Sequence, residues 1–286
     1  MKYYIHSLLV GEVLLWALGA GPVKGQAINY SGSVQYATGS YYFTEQTGSF
    51  YLNNGFGVAG DAVSIYLNVP FIAQNTPWVS YTNTGVGPLP TGGPHNRLVG
   101  GRNGEGNRRG RRIDPGVTDT LNFTETHFGD PSLSGSIKLY SSEVGRSSVN
   151  GNIGIKIPFT DASDGFGTGA WDVGAGVSWS QRVADTVLLV LSGMYWQLGD
   201  MDDLNFNNIL SYSTAIGQTF QNGKLRVVAN FFGSTQIIDD IDPPLSTGVG
   251  FGFQTSTNVS LNTNLLIGLT ESASDFNIGA GWSIKL

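Results

Sequence analysis

The closing segment, Phe276-Asn-Ile-Gly-Ala-Gly-Trp-Ser-Ile-Lys-Leu286, alternates without a break. Phe276, Ile278, Ala280, Trp282, Ile284 and Leu286 fall on one side, and Asn277, Gly279, Gly281, Ser283 and Lys285 on the other. Successive side chains of a β-strand point to opposite faces, so this is a strand with one apolar face and one small, polar face. Val259 to Leu269 repeats the pattern, with Val259, Leu261, Leu265, Ile267 and Leu269 opposed by Ser260, Asn262, Asn264 and Gly268. Trp171, Val173, Ala175, Val177 and Trp179 do the same against Asp172, Gly174, Gly176 and Ser178. Each segment is near the roughly 9–11 residues with which a tilted strand crosses a bilayer. An apolar face towards lipid and a polar face towards a lumen define a transmembrane β-barrel. The fold class expected is all-β, an antiparallel transmembrane barrel.

Taken in order, alternation begins at Ile28 to Ser40 and continues in Phe50 to Val58 and Val63 to Phe71, with Pro70 on the polar face. A long interruption, 75–131, follows. Further strands are expected at Leu133 to Leu139, Val149 to Phe159, Trp171 to Trp179 and Val187 to Trp196, the last apolar on both faces. Ile209 to Phe220 and Leu225 to Ile238 flank the hairpin signal Asn222-Gly223. Val249 to Phe253 and the two terminal segments bring the total to about twelve, an even number as bacterial barrels have. Every second connection is short: Gly60-Asp61, Ser142 to Ser147, Ala184-Asp185, Gln221 to Lys224 and Thr257-Asn258. With both termini in the periplasm, the short turns face it and the long connections are extracellular. A soluble twelve-stranded sandwich or propeller is the competing reading.

Composition supports the barrel. Only 13 % of the 286 residues are charged, 41 are glycine and none is cysteine, against roughly a quarter charged in soluble domains. The acids gather between strands, as at Asp200, Asp202 and Asp203 or Asp239, Asp240 and Asp242. Charge on a lipid-facing strand is costly. A net charge of −6 leaves no dominant basic surface for nucleic acid. Residues 1–27 read as a cleaved signal peptide: Lys2, then an apolar run around Leu8, Leu9, Leu14, Leu15 and Leu18, then Gly25 and Ala27. The domain expected is therefore the barrel, 28–286, with 75–131 as its long extracellular loop, in the outer membrane.

Candidate chemistry is sparse. Gly248-Val-Gly-Phe-Gly252 has no following helix to hold a phosphate. The two acidic clusters have oxygen ligands for calcium but lack the glycine and distal glutamate of an EF-hand, so solvated loop acids are the simpler reading. Arg97, Arg102, Arg108, Arg109, Arg111 and Arg112 suit anionic headgroups or the acidic loops better than nucleic acid, having no interleaved aromatics. His95 and His127 have neither a serine in hydrolase spacing nor cysteine for zinc. No enzyme, cofactor or metal is expected. Trp171 and Trp179 are spaced about 26 Å apart along a strand, which suits two aromatic girdles.

The stretch Gly165-Phe-Gly-Thr-Gly-Ala-Trp-Asp-Val-Gly-Ala-Gly-Val-Ser-Trp-Ser-Gln-Arg182 resembles a bacterial outer-membrane family named for the MetA pathway of phenol degradation. Leu198-Gly-Asp200, Phe128-Gly-Asp130 and Glu271-Ser-Ala-Ser-Asp-Phe276 are similar to that family too, so the resemblance runs from about Phe128 to the end. It implies a transporter of small solutes. It also implies recognition by the barrel-assembly machinery of a C-terminal Phe or Trp, where this chain has Leu286. The alternation places Lys138, Lys156, Asp172, Arg182, Arg226 and Lys285 towards the lumen as pore-lining candidates. The expected function is passive uptake or efflux of small, aromatic or hydrophobic solutes through a barrel held in outer-membrane lipid. The alternative is a structural or adhesive surface protein whose barrel anchors the long loop.

Overall fold

The computed structural model describes residues 27–81, 87–92, 125–143, 145–162, 165–202 and 204–286. The expected signal segment, His95, the arginine run from Arg97 to Arg112 and Asp203 lie outside the described residues. The strands are β1 (Ala27–Gly39), β2 (Thr47–Ala59), β3 (Val63–Gln74), β4 (Val79–Ser80), β5 (Leu89–Pro90), β6 (Glu125–Phe128), β7 (Ser132–Ser141) and β8 (Ser147–Lys156). They continue as β9 (Asp172–Ala184), β10 (Val187–Gln197), β11 (Ile209–Phe220), β12 (Leu225–Ser234), β13 (Leu245–Gln254), β14 (Val259–Gly268) and β15 (Phe276–Lys285).

Twelve of these, β1 to β3 and β7 to β15, pair antiparallel with their neighbours, and β1 pairs with β15 to close the ring. Closure removes every sheet edge, which matters because lipid cannot satisfy unpaired backbone groups. β4 and β5 form a small separate hairpin. β6 extends the line of β7 along β3, and a break separates the two. Asn68 pairs with Ser132 and Phe71 with Phe128, so two residues of β3 oppose three of the partner. Pro70 has no N–H to donate there, and its carbonyl accepts instead from Gly129 N at 2.9 Å. Pro70, on the polar face of the alternation, thus sits at a bulge.

The faces follow the alternation. Phe50, Phe56, Ile153, Val177, Ile216, Phe251 and Ile278 are exposed on the outside. Exposed aromatics collect towards the two ends, with Tyr36, Phe128, Phe159, Trp171 and Tyr195 at the end carrying the long connections and Tyr140, Phe220 and Phe253 at the other. Trp179 is more sheltered, its indole N–H reaching Ser147 Oγ at 3.0 Å. β10 is apolar on both faces because Trp196 lies inside, flat against Gly154 and Gly174. A Cβ at either glycine would come within 2.5 Å of that ring.

Several strands run longer than the alternation suggested, and two stop well short of it. β12 stops at Ser234, and Ile237 and Ile238 turn inward instead of extending it; β8 stops at Lys156 rather than running to Phe159. After β12 the apolar period continues because Ile237 and Ile238 are buried in the following loop, whereas after β8 it continues into Phe159, which stays exposed at the end with the long connections.

Trp282 pairs with Gly32 and covers it on the outer face, while Ser283 faces inward. Trp282→Asp should cost on the order of 2 kcal/mol by placing a carboxylate against lipid, whereas Ser283→Asp should be tolerated. The check is the yield of heat-modifiable, folded barrel after refolding into vesicles; equal yields would mean the faces are misassigned.

Candidate functional site

The lumen wall is built from residues that satisfy one another. Ser148 and Ser180 hydroxyls meet at 2.7 Å, Ser192 and Ser213 at 2.7 Å, and Asn152 Nδ2 donates to Ser178 Oγ at 3.2 Å. Glycines make room for the larger groups: Tyr66 lies over Gly55 and Gly57, with its hydroxyl on Ser31 Oγ. Between its two ends such a wall is polar and almost uncharged.

The end carrying the long connections holds an apolar cluster. Tyr41, Phe43, Trp78, Val79, Leu89, Leu198, Leu204, Phe206, Ile237, Ile238 and Ile241 bury one another there. They come from the β1–β2, β10–β11 and β12–β13 connections and from the β4–β5 hairpin. That hairpin is tied by Ser80 Oγ to Thr91 Oγ1 at 2.8 Å and by Gly92 N to Trp78 O at 3.0 Å. Trp78 Nε1 donates to Glu45 Oε2 at 3.2 Å, and Gln74 Nε2 to Val79 O at 3.2 Å. Tyr41, at φ 48, bends the β1–β2 connection inward, and its hydroxyl meets Ser274 Oγ at 2.8 Å. Burial holds that phenol far above the usual tyrosine range, so the cap carries no tyrosinate. A second small core joins Ala37, Tyr51, Ile72 and Phe166, with Tyr81 packed against it.

Beside the break in β6–β7 lies a buried ionic network. Lys156 is 1 % exposed and its Nζ sits 3.1 Å from Asp130 Oδ2 and 3.3 Å from Asp172 Oδ2. It also donates to Thr168 Oγ1. Asp130 Oδ1 accepts the N–H groups of Phe159 and Thr160 at 2.9 and 3.0 Å and the Thr160 hydroxyl at 2.8 Å. Asp172 Oδ1 accepts Gly199 N–H at 3.1 Å. The network therefore fastens three connections to the rim of the wall. Gly167 is fixed by the same packing, since a Cβ there would lie 2.0 Å from Thr160 Oγ1.

These contacts give physical content to the short motifs read in the sequence. In Gly165-Phe-Gly-Thr-Gly, Phe166 fills the small core and stacks on His127 at 5.6 Å. Asp200 of Leu198-Gly-Asp200 accepts Phe206 N–H at 2.8 Å. Asp130 is the site residue that pattern reading missed. Its only sequence signal was the Phe128-Gly-Asp130 motif, because a partner 26 residues away leaves no periodic trace.

The six residues placed inward by alternation divide into two groups. Lys156 and Asp172 are opposite each other in register and form the buried pair just described, so neither offers a free charge to the lumen. Lys138, Arg182, Arg226 and Lys285 are exposed at the other end, among the short turns. Lys138 Nζ donates to Asp61 O at 2.6 Å, and Arg182 Nη1 to Asp185 O at 2.8 Å. Arg146 takes the Asp185 carboxylate at 3.1 Å. Among the described residues this rim carries six lysines and arginines against three carboxylates, and the capped end one lysine against twelve carboxylates. Of the acidic clusters, Asp200 is engaged as above and Asp239 accepts from Asn207 Nδ2 at 2.9 Å. No group of three or more His, Cys, Asp or Glu is arranged to hold a metal among the described residues.

Two solved structures share the architecture. The COG4313 outer membrane channel from Pseudomonas putida F1 superposes with a TM-score of 0.64 at 9 % identity, covering 93 % of this chain and 97 % of that one. The NanC porin superposes with a TM-score of 0.51 at 8 % identity, covering 91 % of this chain and 100 % of that one. No functionally curated protein matches the chain. The closed ring of strands, apolar on its outer face, is an outer-membrane β-barrel, and the bacterial outer membrane is its location. The match to the family described as "Putative MetA-pathway of phenol degradation" spans residues 19–286, and the chain belongs to that family.

Proposed function

We propose that the barrel is a narrow, passive conduit for small solutes, with its capped end outside the cell and its rim of short turns in the periplasm. The observation that carries this reading is the wall itself, a ring of small, mutually paired hydroxyls, amides and glycines. Twelve strands lie between the filled eight-strand barrel and the open sixteen-strand porin, so passage is limited to small molecules. The apolar cap favours solutes with an aromatic or hydrophobic body over sugars. Likeness of fold to the COG4313 outer membrane channel supports the same reading.

Proteoliposome swelling tests it. Wild-type protein should pass small neutral solutes at rates that fall steeply with solute size. No swelling with any solute would favour a barrel that serves as an anchor for its long connection.

Selectivity should follow the exposed rim. In a narrow passage a few charges of one sign dominate the local potential, and six cations outnumber three carboxylates there among the described residues. We expect a mild anion preference in the reversal potential under a salt gradient, reduced by Arg182→Gln with Arg226→Gln. A cation-selective wild type, or indifference to both substitutions, would contradict that assignment.

A further inference from the structure

The outward phase of β2 reads Phe50, Leu52, Asn54, Phe56 and Val58. Apolar side chains there suit lipid, but Asn54 is a carboxamide. Its direction is fixed by its neighbours. Asn53 Nδ2 donates to Ser33 Oγ on the lumen side at 3.3 Å, and Gly55 lies beneath Tyr66, so Asn54 between them points out. It stands seven residues from one end of β2 and five from the other. Five residues of a tilted strand cover roughly 13 Å of depth, about half of an apolar band roughly 25 Å tall. At that depth the bilayer offers neither water nor headgroup.

The amide is only half satisfied. Its Oδ1 accepts the Tyr30 hydroxyl at 3.1 Å, and among the described residues nothing accepts from its two N–H bonds. Other polar side chains of the outer face need nothing from outside. Thr247 and Thr263 donate to the carbonyls of Asn230 and Gly279 at 2.9 and 2.7 Å. Gln181 and Gln218 share the outward phase but stand at strand ends beside the short turns, within reach of water. A polar group left unpaired in hydrocarbon is costly, and its position marks a site where a partner is expected. The surface around Asn54 suits contact with protein. Tyr30 and the exposed Phe56 pair at 5.0 Å beside it. Gly32, opposite Asn54 on β1, is covered by the Trp282 ring and leaves no hollow.

We propose that Asn54 is the centre of an interface between two copies of this chain. Both copies insert in the same orientation, so the two-fold axis between them runs along the membrane normal. Each residue near that axis meets its own counterpart at the same depth. A group placed there must complement itself, and a carboxamide does. One N–H of each Asn54 donates to Oδ1 of the other, which has a second lone pair beside the one that Tyr30 uses. A lysine or a carboxylate in the same place would meet its like. The Tyr30 and Phe56 rings of the two copies flank the amide pair and keep lipid from it. The inference goes beyond the conduit reading and does not depend on conduction.

Sedimentation equilibrium of the refolded, full-length barrel in density-matched micelles tests it. Wild type should show a monomer–dimer equilibrium. Asn54→Leu makes the outer face more apolar, so the heat-modifiable fold should persist while the dimer weakens on the order of tenfold. Thr214→Leu, an equally apolar change on β11 in the opposite wall of the ring, should leave the dimer unchanged. The chain has no cysteine, so Phe56→Cys can report the contact in lipid vesicles. A short bismaleimide should link two such copies, whereas Ile216→Cys on β11 should stay unlinked. Monomers alone at every detergent ratio, or a dimer indifferent to Asn54→Leu, would overturn the proposal and leave the amide in lipid. Should Asn54→Leu not fold, equal cross-linking through Phe56→Cys and Ile216→Cys would overturn it in the same way.

Discussion

Lys156→Met is expected to be the most destabilising single substitution in the barrel wall. The lysine is buried between two carboxylates that are themselves almost fully enclosed, at 3.1 and 3.3 Å. Taking the cation away leaves Asp130 and Asp172 as buried charges facing each other, and breaking a buried pair in this way costs about 3–5 kcal/mol. The effect should extend to the connections, since Asp130 holds Phe159 and Thr160 and Asp172 holds Gly199. Refolding and unfolding in urea, read by the heat-dependent gel shift, should show a large fall in the midpoint. Neutralising the whole cluster with Asp130→Asn, Asp172→Asn and Lys156→Met should recover much of the loss, because the penalty is an unpaired charge rather than a missing contact. A Lys156→Met protein with the wild-type midpoint would show that the network adds nothing to stability.

The strands were legible because lipid on one side and a crowded lumen on the other impose a strict period of two. Phe276 to Leu286 and Val259 to Leu269 show it plainly, and their faces in the structure are those of the alternation. The inward phase of Lys156 and Asp172 was legible for the same reason. Their pairing with Asp130 was not, because period carries no information about what a loop brings to the end of a strand. The cap was equally hidden. Trp78, Val79 and Leu89 sit in a stretch rich in Gly and Pro that reads as solvated loop, yet they are among the most buried residues in the chain. Ile237 and Ile238 misled in the opposite direction, extending an apolar pattern that the structure uses for the cap instead of the wall.

The second large effect concerns the cap. Among the described residues, β4 and β5 contribute no pairing to the twelve-stranded ring, since they pair only with each other. The buried side chains of Val79 and Leu89 instead belong to the apolar cluster at that mouth, each worth about 1.5–3 kcal/mol of apolar burial. Replacing Val79 to Pro90 by Gly-Gly should therefore leave a heat-modifiable barrel while removing much of the obstruction beneath the outer mouth. Tyr41, Phe43 and the isoleucines at 237, 238 and 241 would lose Val79 and Leu89 as packing partners, and Trp78 would lose the hairpin that holds it in place. The shortened protein should accordingly be more sensitive to protease in its remaining connections, with its strands still protected.

Single-channel current in planar bilayers, recorded for wild type and for the variant lacking Val79 to Pro90, tests the conduit most directly. Wild type should show small, resolvable open steps, and the variant steps several times larger with weaker discrimination by solute size. Silence from both proteins, or equal conductance in the two, would contradict a lumen that conducts and a cap that narrows it.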